Sequence, residues 1–190
     1  MQTIEIAHLT LRFRSLRIAD PVRRGRLASS LAAEGQRTPV VVHREDETYT
    51  LIDGYARVEA LQALGEDLVS ALMLDMGLAE ALALSHRLQR TRKVSAFEEA
   101  WLLRVLLDEH GMTRGEIARQ MERSPSWVSR RLALVEHLPP SAQKAIRAGR
   151  ISSQAAMRSL VPLARANAEH CARLVTALGS RRVSVRELQK

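Results

Sequence analysis

Hydroxyl and guanidinium side chains cluster between residues 124 and 131 of this 190-residue chain. Ser126 and Ser129 carry hydroxyls, and Arg130 and Arg131 carry guanidiniums; both groups bind phosphate oxygens and the acceptor atoms on guanine edges. We predict that this run is the exposed side of a helix that faces the major groove of a duplex. Trp127 lies within the run and has two interpretations: it packs against a phosphate–sugar edge, or it covers the helix end.

Two short helices are predicted to position these side chains over residues 113–134. Thr113 with Glu116 three residues later predicts a capping box at the first helix. Ser124 is the expected N-cap of the second helix, and Pro125 occupies a first position where its missing amide is harmless. The apolar residues that share the inward face are Ile117, Ala118, Met121, Val128 and Leu132.

The turn between the two helices departs from the common form. Such turns often carry glycine, which adopts positive φ at little cost. Here Glu122 and Arg123 occupy the turn, so we expect it to form without a residue suited to positive φ. An ordinary pair of packed helices with a solvated basic face is the alternative interpretation of the segment.

Positive charge is concentrated in the same part of the chain. The net charge is +8, yet residues 1–112 hold 14 Lys/Arg against 16 Asp/Glu, whereas residues 113–190 hold 15 against 5. A basic region of this kind releases counterions when it binds nucleic acid. A basic face that only improves solubility is the alternative.

The composition narrows the class of protein. Hydrophobic residues make up 46% of the chain, enough for a buried core, and aromatic residues make up only 3%. Few rings are therefore available to stack single-stranded bases, which favours duplex as the partner. The single cysteine, Cys171, excludes an internal disulfide and a cysteine-based zinc site. We find no transmembrane run or signal-peptide pattern, so we expect a cytoplasmic protein and no membrane partner.

Strand and helix patterns predict an α+β fold. Predicted strands lie at 39–43, 48–52 and 68–74, with helices at 23–34 and 55–64. Beyond Gly77 only helices are predicted, at 78–89, 96–110, 141–148, 152–161 and 167–178, with breaks at Pro139, Pro140, Gly149, Pro162 and Gly179. We therefore predict a small mixed-sheet domain over 1–90, a helical domain over 95–178 that contains the 113–134 motif, and a tail over 179–190. The polar, basic segment 89–95 is the expected connector.

An ordered series of short motifs resembles the ParB-type partition protein family. The series covers about residues 27–160 and consists of Gly35 with PVVV (39–42), LIDGYARVEALQALG (51–65), RLQR (87–90), FEEA (97–100), the helix-turn-helix, LP (138–139) and GRIS (149–152). Its N-terminal part is also similar to a fold used by small kinases and redox enzymes, the sulfiredoxin-like fold. The helix-turn-helix favours the DNA-binding branch.

The resemblance implies a CTP site in the N-terminal domain. The residues that it assigns to nucleotide binding are Gly35, Thr38, Pro39, Asp53, Gly54, Arg57, Arg87 and Arg90. Gly54 would let the backbone approach a phosphate, and Arg57 could bind one bidentately. His86 and Arg87 replace the family's Glu and Asn, and neither supplies the hard oxygen ligand that Mg²⁺ prefers, which weakens the case for Mg²⁺ and for CTP hydrolysis. A simple strand-ending turn at Asp53, with Arg57 paired to a surface carboxylate, is the alternative.

The resemblance also implies the partners and the role. It assigns duplex DNA to Thr113, Arg114, Ser124, Ser126, Trp127, Ser129, Arg130, Arg131, Arg150 and Ser152, and it implies a homodimer, a partition ATPase partner and a task in DNA segregation or in maintaining a plasmid or mobile element. The family usually continues into a C-terminal dimerisation domain, whereas this sequence stops at Lys190; either the sequence is truncated, or the protein is a short form that dimerises otherwise. Two rivals stay open: a nucleotide-dependent enzyme that uses Asp53, Gly54, Arg57 and Arg90, and a transcriptional regulator that has lost the nucleotide.

Overall fold

The computed structural model describes residues 1–46, 48–88, 94–183 and 185–188. They form two compact units, of which the first comprises Met1–Ser15 and Asp20–Leu88. The second comprises Leu16–Ala19 and the chain after Leu88. The first unit holds a five-stranded sheet and the second is helical. The predicted α+β fold class is confirmed.

The sheet of the first unit is mixed. Its strands are β1 (Gln2–Glu5), β2 (Leu9–Thr10), β3 (Val40–Glu45), β4 (Thr48–Asp53) and β5 (Leu68–Leu74). They lie in the order β1-β5-β3-β4-β2, with β3 antiparallel to β4 and parallel to β5. The three predicted strands are confirmed. The two edge strands were not predicted, because β1 buries only Ile4 and β2 has only two residues, too few for an alternating pattern.

Three α-helices accompany the sheet in the described part of this unit: α1 (Pro21–Glu34), α2 (Tyr55–Ala63) and α3 (Leu78–Leu88). Asp20 caps α1 by accepting a hydrogen bond from the Arg23 amide at 2.9 Å. Helix α1 packs on α2, and α3 packs on the central strands. Val40, Val42 and Leu51 are fully buried and form the centre of this core.

The helices of the second unit begin at Ala96. They are α4 (Ala96–Asp108), α5 (Arg114–Gln120), α6 (Pro125–Leu132), α7 (Pro140–Arg147), α8 (Ser153–Ala155), α9 (Val161–Ala166), α10 (Ala168–Leu178) and α11 (Val185–Leu188). The fully buried side chains of Phe97, Leu103, Ile117 and Ile146 lie at the centre of the unit. Helix α4 packs along α6, so it supports the second helix of the predicted motif.

Pro162 does not break a helix, contrary to the prediction. Residues 156–160 form a π turn that joins α8 to α9, and the Val161 amide donates to the carbonyl of Ala156. Pro162 is the second residue of α9, so the helix continues directly from the π turn through a residue that has no amide hydrogen to donate. The predicted breaks at Gly149 and Gly179 are confirmed, with φ of +67° and +61°.

A short segment from the N-terminal part completes the helical unit. The Ile18 amide donates to the Glu98 carboxylate at 2.9 Å, and the Ala19 amide donates to the Arg147 carbonyl at 2.8 Å. Glu98 is only 2% exposed, and its other oxygen accepts the Ser95 amide at 3.0 Å. These amides offset the cost of burying the carboxylate. No sequence pattern indicated this excursion of the chain.

Candidate nucleic-acid interface

Helix α5 begins with the predicted capping box. The Thr113 hydroxyl accepts the Glu116 amide at 3.2 Å, and the Glu116 carboxylate accepts both the amide and the hydroxyl of Thr113 at 2.7 Å. These hydrogen bonds hold the pKa of Glu116 below its ordinary value. Ile117 and Ala118 face inward, as predicted, and Arg114 is exposed at the first helical position.

The turn after α5 places a glutamate in the left-handed region. Glu122 has φ of +52°, and its amide donates to the Arg119 carbonyl at 3.1 Å. The next amide, that of Arg123, donates to the Ala118 carbonyl at 2.9 Å. This pair of bonds is the Schellman pattern, in which glycine usually holds the position of Glu122. As expected, the turn is built without a residue suited to positive φ: Glu122 itself takes the left-handed conformation, and the two hydrogen bonds satisfy carbonyls in the last turn of α5.

Helix α6 has the predicted start and the predicted inward face. The Ser124 hydroxyl accepts the Trp127 amide at 3.2 Å, and Pro125 follows at the first helical position. Val128 and Leu132 are buried. The predicted residues exposed on this helix and at its cap are Ser124, Ser126, Ser129 and Arg130. The helix thus presents hydroxyls and one free-standing guanidinium on its outer side.

Trp127 is half-buried beneath two arginines. The guanidinium carbons of Arg123 and Arg131 lie over its ring, 5.5 Å and 5.3 Å from the centroid. Arg123 was not among the predicted residues, although its place in the turn directly before the N-cap could have signalled it. The Trp127 ring therefore forms cation–π contacts with two arginines of its own chain. This arrangement differs from both predicted roles, packing against a phosphate–sugar edge and covering the helix end.

Arg131 differs from its neighbour Arg130. Its Nε donates to the carboxylate of Glu99 on α4, and its side chain is only 32% exposed. Arg130 is exposed. The sequence could not distinguish these two adjacent arginines. In the structure, Arg131 is fixed by an ion pair with Glu99, whereas the side chain of Arg130 is exposed to solvent.

The remaining predicted DNA contacts lie outside α5 and α6. Arg150 is half-buried, and its guanidinium donates to the Gly179 carbonyl. Ser152 is exposed and caps α8 by accepting the Ala155 amide at 3.2 Å. Both residues are thus tied to the elements that follow α7.

In the first unit, Arg57 connects several of the predicted nucleotide-binding residues. Its guanidinium lies 3.6 Å from the Asp53 carboxylate and donates to the Thr38 carbonyl at 3.2 Å. Burial lowers the pKa of Arg57, and the charge of Asp53 opposes that shift. The alternative in which Arg57 pairs with a carboxylate is therefore observed, with Asp53 as the partner.

Gly54 is required by packing as well as by conformation. Its φ is +106°, and a Cβ at this position would lie 2.6 Å from Cγ1 of Val40. Close contact with a neighbouring strand accounts for glycine here without a ligand. Arg57 could therefore bind a phosphate, but the presence of glycine at position 54 is not by itself evidence for a phosphate site.

Gln36, which was not predicted, orders the loop that carries Thr38 and Pro39. Its side-chain amide donates to the Ser70 carbonyl and accepts the Ser70 amide, both at 2.8 Å, and also donates to the Thr38 carbonyl at 3.0 Å. Gln36 thereby fixes the carbonyl that holds Arg57. An amide side chain directly after the helix-ending Gly35 was the available signal.

The other predicted nucleotide-binding residues are more dispersed. Gly35 ends α1 with φ of +68°, and its amide donates to the Leu31 carbonyl at 2.9 Å. Pro39 is half-buried, and Arg87 is exposed in the last turn of α3. Arg90 lies outside the described residues.

Over residues 1–46, 48–88, 94–183 and 185–188, no helix combines the length and apolar character needed to cross a bilayer. Within the same parts of the chain, no three His, Cys, Asp or Glu side chains lie together as metal ligands.

The chain matches two family descriptions in succession. Residues 1–88 match the ParB N-terminal domain, and residues 92–190 match the ParB HTH domain. Among curated proteins, it is 35% identical to a nucleoid occlusion protein of Oceanobacillus iheyensis over 141 residues, covering 72% of this chain and 48% of that protein. It is 30% identical to a nucleoid occlusion protein of Bacillus cereus over 167 residues, which cover 86% of this chain and 57% of that protein. The chain thus spans about half the length of these relatives.

Solved structures include a C-terminally truncated chromosome-partitioning protein ParB from Caulobacter crescentus in complex with the centromeric parS site. Its identity is 21% and its TM-score 0.46, covering 100% of this chain and 97% of that chain. The same truncated protein in complex with CTP-γ-S has 18% identity and a TM-score of 0.42; the match covers 100% of this chain and 98% of that chain. Because the two family descriptions together account for nearly the whole sequence, the chain belongs to the ParB family.

Proposed function

We propose that this protein binds duplex DNA sequence-specifically through α5, α6 and the turn between them. The observation that carries the proposal is the exposed row of Ser126, Ser129 and Arg130 on a helix whose start is fixed by Ser124. Short hydroxyls and an exposed guanidinium along the outer face of such a helix suit the major groove. The excess of basic residues after Thr113 supplies the electrostatic attraction.

The role that we infer is in DNA segregation or in the related control of nucleoid position. The names of the curated relatives, nucleoid occlusion proteins, support a site of action on nucleoid or plasmid DNA in the cytoplasm. A homodimer and a partition ATPase partner belong to the same proposal. A transcriptional regulator on the same fold is the alternative role.

The test is fluorescence anisotropy with a labelled duplex that the protein itself has selected from a randomised pool. Arg130→Ala is expected to weaken binding about tenfold or more, since a base-reading arginine contributes about 1–3 kcal/mol. Arg173→Ala is the matched control, because it removes the same charge from an exposed position on α10. Equal losses of affinity in the two variants would show that Arg130 contributes only non-specific electrostatic attraction. Failure of the protein to select any sequence from the pool would refute the proposal.

We further propose that the first unit binds a nucleotide, with CTP as the candidate. Arg57 would hold a phosphate near the Thr38 carbonyl, in competition with Asp53. The cytidine triphosphate would supply the charge that releases Arg57 from that ion pair. We propose no Mg²⁺ site, because His86 and Arg87 stand where the family has oxygen ligands.

Calorimetry with CTP and with ATP, each with and without the selected duplex, tests the nucleotide. CTP binding that strengthens with DNA and is lost in Arg57→Ala supports the proposal. Arg37→Ala is the control, since Arg37 is an exposed arginine that pairs with Glu34 at 3.4 Å. ATP turnover without DNA would instead favour the rival enzyme that uses Asp53, Gly54, Arg57 and Arg90. Absence of any nucleotide binding would favour the plain DNA-binding regulator.

A further inference from the structure

Glu99 and Arg131 join two helices of the second unit. Glu99 lies in the first turn of α4, where the helix dipole favours a carboxylate, and its side chain is 12% exposed. It accepts the Nε hydrogen of Arg131, which projects from the last turn of α6. The pair is thus far less exposed than an ordinary surface ion pair, and losing one partner leaves the other charge poorly solvated.

The same guanidinium covers Trp127. Residues 127 and 131 are one helical turn apart, and the guanidinium carbon of Arg131 lies 5.3 Å from the ring centroid. A guanidinium has a planar fork of donors and a flat face, so it can bind a carboxylate at its edge and a ring at its face together. Glu99 therefore fixes Arg131, and Arg131 in turn fixes the ring at the front of α6.

We propose that Glu99 is a positioning residue for the DNA-reading helix, acting through Arg131. This inference rests on the proposed DNA binding. In this arrangement Arg131 orients α6 and Trp127 but does not read bases, and direct contacts fall to Ser126, Ser129 and Arg130. Glu99 also neutralises one cation of the surface, which limits binding to unrelated sequences.

The chain offers a matched control on the same helix. Asp108 is a second carboxylate of α4, and it pairs with Arg104 at 2.9 Å, one turn earlier on α4 itself. Glu99→Gln and Asp108→Asn therefore remove the same charge with the same change of shape. Only the first alters a contact to α6.

The experiment measures affinity for the wild-type-selected duplex and for a scrambled duplex of equal composition, across a range of salt concentrations. We expect Glu99→Gln and Arg131→Met each to lower the ratio of the two affinities about tenfold, with the slope of log affinity against log salt no shallower than in wild type. The double variant should lose no more than either single variant, because both changes break one unit. Asp108→Asn should leave the ratio unchanged.

Different results would overturn different statements. If Glu99→Gln keeps the wild-type ratio while Arg131→Met weakens all sequences and reduces the salt slope by about one, Arg131 contacts phosphate directly and Glu99 positions nothing. Wild-type ratios in both single variants would also overturn the role of Glu99, yet leave the proposed function standing. If the wild-type protein prefers no sequence, the proposed function and the role of Glu99 both fail. Thermal unfolding of each variant shows that the comparison is made on folded protein.

Discussion

Gly149 lies so close to Ala19 that a Cβ atom on Gly149 would be 2.6 Å from the Ala19 carbonyl oxygen. Gly149 also has φ of +67°, the left-handed conformation that ends α7. The contact brings together the end of a helix and the segment Leu16–Ala19, which is more than a hundred residues earlier in the chain. Glycine is needed here for both space and conformation.

Gly149→Ala is accordingly expected to destabilise the helical unit by at least about 2 kcal/mol, since it adds left-handed strain to a clash with backbone. Gly179→Ala is the control, because Gly179 has φ of +61° but open space around it. That change should cost only about 1 kcal/mol. Urea unfolding followed by circular dichroism measures the free energy of unfolding of both variants. Equal losses of stability would show that the close contact with Ala19 adds nothing to the cost of Gly149→Ala.

The left-handed Glu122 predicts a stabilising substitution. Glu122→Gly should raise the free energy of unfolding by up to about 1 kcal/mol, because it removes a strained conformation while keeping both hydrogen bonds of the turn. Glu122→Ala removes the carboxylate without easing φ, so it should give no such gain. The midpoint of thermal unfolding distinguishes them. A gain in the alanine variant would point to charge rather than backbone strain.

Gly25 predicts a second gain in stability. It lies within α1, and a Cβ added there would meet nothing within 4 Å. Gly25→Ala should stabilise the first unit by about 0.5–1 kcal/mol through helix propensity. Gly65→Ala meets the same open space at φ of +79°, so it should destabilise instead. Urea unfolding of the two variants should show opposite shifts, and shifts of the same sign would contradict this explanation.

The capping box of α5 predicts a pH dependence. The amide and hydroxyl of Thr113 hold the pKa of Glu116 below its ordinary value in the folded protein. Its contribution to stability is therefore present above the pKa of the unfolded chain and is lost as the pH falls through the lower, folded pKa. Stability measured from neutral to acidic pH should fall less steeply in Glu116→Gln than in wild type. Parallel curves would show that the box carries no pH-dependent stability.

Local patterns predicted the elements well, since helix caps, strand periodicity and glycine stops act within a few residues. The strand at 68–74 and the capping box of Thr113 and Glu116 agree with the structure for this reason. Residues 16–19 escaped prediction because their partners, Glu98 and Arg147, are distant in sequence. No local pattern encodes such contacts.

The candidate interface was predictable as a surface, but the status of each side chain within it was not. Arg130 and Arg131 are adjacent and chemically identical, yet only Arg131 meets a carboxylate, which α4 supplies from 32 residues away. Gln36 was missed for the same reason, since its partner Ser70 is 34 residues away. Roles that depend on tertiary partners require the fold.

The π turn before Pro162 contains one residue more than an α-helical turn would need at that place. Such a surplus residue advances the helix by roughly 100° relative to an uninterrupted α-helix. In an uninterrupted α-helix, Val161 would lie nearly opposite the side on which Ala155 and Ala156 are buried; the surplus residue turns Val161 and Ala164, which are also buried, back toward that side. The π turn therefore lets one nearly continuous helix, from 153 to 166, bury residues of both its halves along a single side.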